Sequence, residues 1–443
     1  MGKLINYEPV IGLEVHVELN TKSKMFCRCD ANYFGAEPNT HCCPVCLGLP
    51  GSLPYINEQA IEDCMKIGLA LNCEINHESL FERKNYFYPD LPKGYQISQY
   101  RWPLCINGSI EVKNSRGEIR KIRINRAHQE EDTGKLTHLG DKTLIDFNRS
   151  SVPLVEIVTE PDFKDTEEIR DYAKKLQQIF RYLGVSNADM ERGDMRLEAN
   201  ISVRPVGQKD LPPYRVELKN INSFRFMVAA VEYEIKRQIK AHGDGVKLVQ
   251  ETRGWDEDKK QTYTQRIKEE ANDYRYFPEP DLPELRVDEV RVQSLKESLS
   301  ELPWEKVERF IKEYGLNENN ARILAEEKGL AEFFEETAAL GRKLGVEPLS
   351  IANHIVNQKL DIINDSPQQI INDIKAKKAN VISDDTELEK VANEVIKENP
   401  GMVDAYKKGK VTIIQALIGQ VMRKTQGKAD ATKVKEILEK LLR

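Results

Sequence analysis

The chain has 443 residues, enough for two or three domains and a large buried core. Its 40% hydrophobic and 31% charged residues are ordinary for a globular protein and argue against extended disorder. With 66 Lys+Arg against 72 Asp+Glu, a formal charge of −6 excludes a chain that is basic throughout and leaves room only for a local basic patch.

The opening segment, Met1 to Glu8, has no apolar core of a secretory signal, and Asn6 breaks the myristoylation pattern. The longest uncharged apolar-leaning run, Val411 to Met422, is too short to span a bilayer. A cytoplasmic location without membrane association is expected.

Leu13 to Leu19 comes first and alternates strictly. A strand sends successive side chains to opposite faces, so Glu14, His16 and Glu18 share one side and the valines the other. Next comes a cysteine cluster: Cys27, Cys29, Cys42, Cys43 and Cys46 lie within twenty residues, and only Cys64, Cys73 and Cys105 lie elsewhere. Two short pairs, Cys27/Cys29 and Cys43/Cys46, are the way a structural zinc site presents four thiolates. Cys42 and His41 are spare donors, and free thiols in a loop are the plain alternative. A closed four-thiolate site has no open position, so it would serve stability.

The acidic run Glu130, Glu131, Asp132 is a second candidate site, and a solvated acidic turn is its bland reading. Arg196 to Arg204 alternates again, as do Arg215, Glu217 and Lys219 around Val216 and Leu218. For any one strand, a face that simply meets water is sufficient explanation. Three strands that mix carboxylates, a histidine and arginines better suit a nucleotide phosphate and its Mg²⁺. His16 beside carboxylates would also suit Mn²⁺, or it is a neutral imidazole bonded to a neighbour. No phosphate-binding glycine loop, dinucleotide fingerprint or nucleophile elbow occurs. ATP, if bound, therefore sits on neither of those frameworks, and acyl-enzyme chemistry is not expected.

Near residue 290 the pattern becomes helical. Trp304, Val307, Phe310, Ile311 and Tyr314 fit one helix face, as do Ile413, Ala416, Leu417, Gln420 and Val421; Val434, Ile437, Leu438 and Leu441 fit a last helix. Asn364 to Pro367 reads as a turn. Gly401 to Arg443 has ten Lys/Arg against four Asp/Glu. Lys407, Lys408, Arg423, Lys424 and Lys428 are candidates for nucleic-acid phosphate-backbone contacts, against the simpler reading of solvated helix faces.

Six blocks together resemble the B subunit of the aspartyl/glutamyl-tRNA(Asn/Gln) amidotransferase family: Ile11–Leu19 (IGLEVHVEL), Arg83–Asp90 (RKNYFYPD), Tyr95–Gln99 (YQISQ), His128–Asp132 (HQEED), Glu217–Phe224 (ELKNINSF) and Asp273–Asp281 (DYRYFPEPD). The resemblance runs along the whole chain. It implies an α+β fold: a cradle domain resembling glutamine synthetase with a mainly antiparallel sheet over 1–292, within which the zinc loop read from the cysteine spacing falls at 27–46, although many relatives lack those four cysteines. An all-α connector over 293–366 and an all-α tRNA-binding tail over 367–443 would follow. It implies ATP- and Mg²⁺-dependent phosphorylation of the side-chain carboxylate of mischarged Glu-tRNA(Gln) or Asp-tRNA(Asn). Ammonia from a partner, the amidase (A) subunit, would then attack the acyl phosphate, with a small (C) subunit bracing the pair. Glu14, His16, Glu131 and Glu217 match the metal and catalytic site, with Glu130 and Glu198 as helpers. Arg149, Arg196 and Lys219 are weaker candidates for phosphate contact. Two departures stand out. Glu198 occupies a position where relatives usually carry Asp, and Ser151 one where they often carry Gly. Two other function classes compete: an RNA-holding scaffold with inert acidic strands, and an independent metal-dependent hydrolase.

Overall fold

The computed structural model describes residues 6–267, 273–358, 365–379, 384–426 and 428–442. The chain divides into two compact units, 1–305 and 306–443.

In the first unit β1 (Tyr7–Glu18) precedes the cysteine loop and α1 (Glu58–Ala70). Short strands follow, β2 (Glu74–Ile75), β3 (Glu78–Ser79), β4 (Glu82–Asn85) and β5 (Tyr95–Ser98). Then come the long strands β6 (Cys105–Lys113) and β7 (Ile119–Glu131), the hairpin β8 (Lys135–Leu139) and β9 (Lys142–Asp146), and β10 (Pro153–Thr159). Helix α2 (Thr166–Leu183) leads to β11 (Met195–Pro205) and β12 (Val216–Ile221), and α3 (Phe224–Gly243) to β13 (Glu251–Asp256) and β14 (Gln261–Ile267). The unit closes with β15 (Phe277–Pro278), β16 (Leu285–Arg286) and α4 (Glu289–Ser298).

Nine strands form one sheet in the order β14-β13-β12-β11-β1-β10-β7-β6-β2. Every pairing is antiparallel except β12 with β13. Helices α1, α2 and α3 pack against strands of this sheet. Leu13, Val15 and Val17 join Leu176, Phe180 and Met227 in one core, each nearly inaccessible to solvent. Burial on that scale removes enough apolar area to hold the helices on the sheet, at about 25 cal/mol per Å². The same alternation leaves the polar residues of β1, β11 and β12 on the opposite face. Strands β15, β4 and β5 make a separate small sheet, and β5 packs against β7.

Helix α2 shows why its start is fixed. Asp165 caps it by accepting from the Glu168 amide, and the Glu168 side chain reaches back to the Asp165 amide. Gly184 ends it in the left-handed conformation, φ 69°.

From α5 (Pro303–Tyr314) onward the described chain is helical: α6 (Glu318–Leu324), α7 (Lys328–Leu344), α8 (Pro348–Gln358), α9 (Pro367–Ala379), α10 (Asp385–Glu398), α11 (Pro400–Lys407), α12 (Ile413–Lys424) and α13 (Ala431–Leu442). The α+β sheet unit followed by an all-helical region is the fold class the sequence predicts. Helices α5 to α9 share one core, which includes Phe310, Phe334, Ile355 and Ile371. Helices α10, α12 and α13 share another, around Leu388, Leu417 and Leu438. Three expected faces, on α5, α12 and α13, depart in part from the buried ones. In α12 the buried residues are Ile414, Leu417, Ile418 and Val421, so Ile413 and Ala416 lie off the core. Ile311 and Leu441 are solvent-exposed, and Leu442 is buried instead of Leu441. A 3.6-residue repeat fixes the stripe only to within about one residue when apolar residues are adjacent. The predicted turn at Asn364–Pro367 lies partly outside the described residues; Pro367 opens α9, where its fixed φ suits a first helical turn. No described helix is long and apolar enough to cross a membrane.

Candidate active site

Register brings distant residues together on the polar face. β1 lies between β10 and β11, with His16 opposite both Glu156 and Arg196, and Glu14 opposite Glu198. Asn200 stands opposite Glu217, and Glu156 opposite His128.

Two groups of potential metal ligands result. In the first, carboxylate oxygens of Glu14, Glu198 and Glu217 all lie within 4.8 Å of one another. Lys219 neutralises part of their charge, with Nζ 2.7 Å from Glu198 and 3.3 Å from Glu217. The Asn200 amide donates to Glu14 at 2.8 Å, and the Thr252 hydroxyl to Glu217 at 3.0 Å. Burial, then the charges of Glu156 and Glu198, push Glu14 above the usual carboxylate range. The longer side chain of Glu198 thus still reaches the group.

In the second, His16, Glu130 and Glu156 offer one imidazole nitrogen and two carboxylate oxygens within the same span. Ser98 Oγ donates to Glu130 at 2.6 Å, and Gln96 Nε2 donates to it at 3.2 Å. His128 Nε2 lies 3.2 Å from Glu156 and 3.4 Å from Glu130. Burial opposes charge on His128, but the two carboxylates outweigh it and raise its pKa to about 9. The half-buried Lys84 adds a positive charge from β4; burial opposes that charge, and Glu130 and Glu156 overcome the opposition.

Of the predicted residues, Glu14 and Glu217 fall in the first group and His16 in the second. Glu131 lies in neither. It is buried, ion-paired with Lys93 and bonded to the Ile97 amide at 2.9 Å. Arg149 and Arg196 meet elsewhere, at Asp132. Arg196 pairs with its carboxylate, while Arg149 Nε stands 3.7 Å away and the Arg149 guanidinium donates to the Thr133 and Gly134 carbonyls. Burial, then the charge of the neighbouring Asp132, push the Glu18 carboxyl well up. Tyr33 of the cysteine loop donates to Glu18 at 3.0 Å.

Glu156 was not singled out from the sequence. Its signal is nonetheless there: it is the one charge in the strand PLVEIVT, six of whose seven residues are buried.

The sulfur atoms of Cys27, Cys29, Cys43 and Cys46 also lie within 4.8 Å of one another. The Cys43 amide donates to Cys46 Sγ at 3.1 Å, the backbone-to-sulfur bond a turn around a metal supplies. Cys46 is the acidic thiol of the set, brought down to about 4 by a bond from Cys27, against burial, with help from Lys24 and the Cys43 amide. Four thiols at this spacing fit a tetrahedral zinc site; Cys42 and His41 are not in the group.

Among the tail candidates, Lys407, Lys408, Arg423, Lys424 and Lys428 are all exposed. They sit at or just beyond the C-terminal ends of α11 and α12. Lys424 is engaged by Glu394 and Glu398 at 3.1 and 2.6 Å.

A mainly antiparallel sheet with paired acidic groups on one face, followed by helical cores, defines the class: an α+β catalytic unit with a helical extension. Residues 9–293 match the family described as the GatB/GatE catalytic domain, and residues 344–442 the family described as the GatB domain. The chain is 46% identical to the aspartyl/glutamyl-tRNA(Asn/Gln) amidotransferase B subunit of Thermodesulfovibrio yellowstonii, covering 99% of this chain and 100% of that protein. It is 44% identical to the protein of that name from Persephonella marina, with the same coverage. With that from Thermoanaerobacter pseudethanolicus the identity is 46%, over 99% of this chain and 100% of the relative. The chain belongs to the GatB family.

Proposed function

We propose that this chain is the carboxylate-activating, tRNA-handling component of an amidotransferase that converts mischarged Glu-tRNA(Gln), Asp-tRNA(Asn) or both into Gln-tRNA(Gln) and Asn-tRNA(Asn). The observation that carries the reading is the pair of acidic groups side by side on one sheet face. A carboxylate is a poor acceptor for ammonia until it is phosphorylated, and phosphoryl transfer is achieved by positioning and charge neutralisation.

The two groups would hold divalent cations, the all-oxygen one suited to Mg²⁺ and the histidine-containing one equally to Mn²⁺. Metal bound there would neutralise the triphosphate of ATP and orient its terminal phosphate. Glu14, Glu198 and Glu217 would hold one cation, and Lys219, beside Glu198 and Glu217, would add positive charge for a phosphate oxygen. His16, Glu130 and Glu156 would hold the other, with His128 fixing the two carboxylates by bonding both. Glu131 acts at one remove: pinned by Lys93 and the Ile97 amide, it seats β5 so that Ser98 and Gln96 grip Glu130. Arg149 and Arg196, aligned by Asp132, are assigned to phosphate contact. The four cysteines hold a structural zinc, and the exposed cations of the tail contact tRNA phosphates. No serine, cysteine or histidine arrangement among the described residues would hydrolyse glutamine. An amidase (A) subunit would supply the ammonia from glutamine, with a small (C) subunit completing the complex.

The test is co-expression with a candidate amidase, then analysis of the amino acid on the tRNA after incubation with ATP and glutamine or ammonium. Glutaminyl- or asparaginyl-tRNA is expected from both nitrogen sources. Retained tRNA binding with no ATP consumption and no amide would leave a scaffold and overturn the reading.

A further inference from the structure

We infer that Lys24 is a positioning residue that binds the four-thiolate cluster to the turn carrying Arg149. The inference rests on the zinc and Arg149 assignments proposed above.

Lys24 is fully buried. An ammonium taken out of water needs an anionic or strongly polar partner. Among the described residues no carboxylate lies within ion-pairing distance of it. Its Nζ instead stands 3.8 Å from Cys46 Sγ and 3.3 Å from the Phe147 carbonyl. A zinc ion with four thiolates carries a net charge of −2, so the buried cation offsets half of the charge that the cluster brings inside. The bridging position also ties that charge to the Phe147 carbonyl.

Phe147 opens a tight segment. The Ser150 amide donates to the same Phe147 carbonyl, and the Val152 amide to Arg149. The cysteine loop grips this segment along its length. Asn148 Oδ1 accepts from the His41 amide at 2.8 Å, and its Nδ2 donates to the Glu37 carbonyl at 2.7 Å. Asn39 exchanges hydrogen bonds with Asp146, Ile145 and Phe147. The Ser150 hydroxyl donates to the Cys46 carbonyl, and the Met25 amide to the Ser151 carbonyl. Between these contacts projects the Arg149 side chain, whose guanidinium donates to Thr133 and Gly134 beside Asp132. The cysteine loop, which bound zinc would hold in shape, thus forms one wall of the mould for Arg149, and Lys24 is that loop's one fully buried cation among the described residues. Metal occupancy and the placing of Arg149 are therefore one property, with Lys24 at the joint.

The test uses the full chain as Lys24→Met and Lys24→Arg. Zinc affinity is read by competition with a chromogenic chelator, and cobalt substitution reports the tetrathiolate through its sulfur-to-metal bands. Removing a residue that orients and balances metal ligands weakens binding about 10- to 100-fold. K24M is expected to lose that much, with K24R close to wild type. Hydrogen exchange gives an arm that needs no variant: stripping zinc from wild-type protein should remove protection from the Ser150, Ser151 and Val152 amides. Zinc binding by K24M within twofold of wild type, or unchanged protection on stripping, overturns the inference. Wild-type protein that takes up neither zinc nor cobalt would instead sink the zinc assignment itself, a different and separately visible outcome.

Discussion

Ser151 is worth changing to glycine. Its φ of 70° lies in the left-handed region, although it carries a β-carbon. That conformation costs a non-glycine residue about 1–2 kcal/mol. The side chain is completely buried, and its hydroxyl has no hydrogen-bond partner among the described residues; such a group costs about 1–3 kcal/mol. Against these gains, glycine loosens the unfolded chain by about 0.4–1 kcal/mol, and the small void left behind costs about 1 kcal/mol. The backbone bonds survive: the Ser151 amide still donates to Asp132 and its carbonyl still accepts from Met25. Ser151→Gly should therefore stabilise the sheet unit by about 1–2 kcal/mol. That corresponds to a rise of roughly 3 °C or more in its unfolding midpoint, read by calorimetry or urea titration of the zinc-loaded chain. A fall in midpoint would show that the hydroxyl has a partner or that the turn is relaxed with serine, and the strain argument would fail.

Glu156→Gln should lower ATP-dependent activation by roughly a hundredfold while tRNA affinity stays within twofold; normal ADP formation with mischarged tRNA would exclude Glu156 from the site. The same change removes the charge of one of the two carboxylates that raise the pKa of His128, so the imidazole should titrate below its native value by NMR, and an unchanged titration would contradict the pairing. In the tail, reversing charges is cleaner than deletion, since α12 and α13 share the core of α10. Arg423→Glu with Lys428→Glu should weaken tRNA binding and flatten its salt dependence by about two phosphate contacts. Lys424→Glu should do less, because that ammonium is already engaged by Glu394 and Glu398. An unaltered salt slope would remove this face from the tRNA footprint.

Alternation in β1, β11 and β12 was legible because period 2 is a local property, and it placed Glu14, His16, Glu198 and Glu217 on one face. Their division into two groups was not legible. It depends on which strands are neighbours, and β10 pairs with β1 across more than a hundred residues of chain. Glu156 was missed for that reason. Glu131 and Glu130 are adjacent in sequence, so a strand must send them to opposite sides; only the packing of β5 shows that Glu130 joins His16 while Glu131 meets Lys93. The two cysteine pairs were legible from spacing, which left Cys42 and His41 as spare donors; the folded loop is what groups Cys27, Cys29, Cys43 and Cys46. The helical stripes of α12 and α13 were legible to within one residue, and tertiary packing chose between adjacent apolar side chains.

The most direct test of the paired-cation account is Mn²⁺ stoichiometry, measured by electron paramagnetic resonance with a non-hydrolysable ATP analogue. The account predicts about two tightly bound ions per wild-type chain, with one lost in Glu217→Gln and a different one, nitrogen-coupled through His16, lost in Glu156→Gln. Full Mn²⁺ binding by both variants would contradict it.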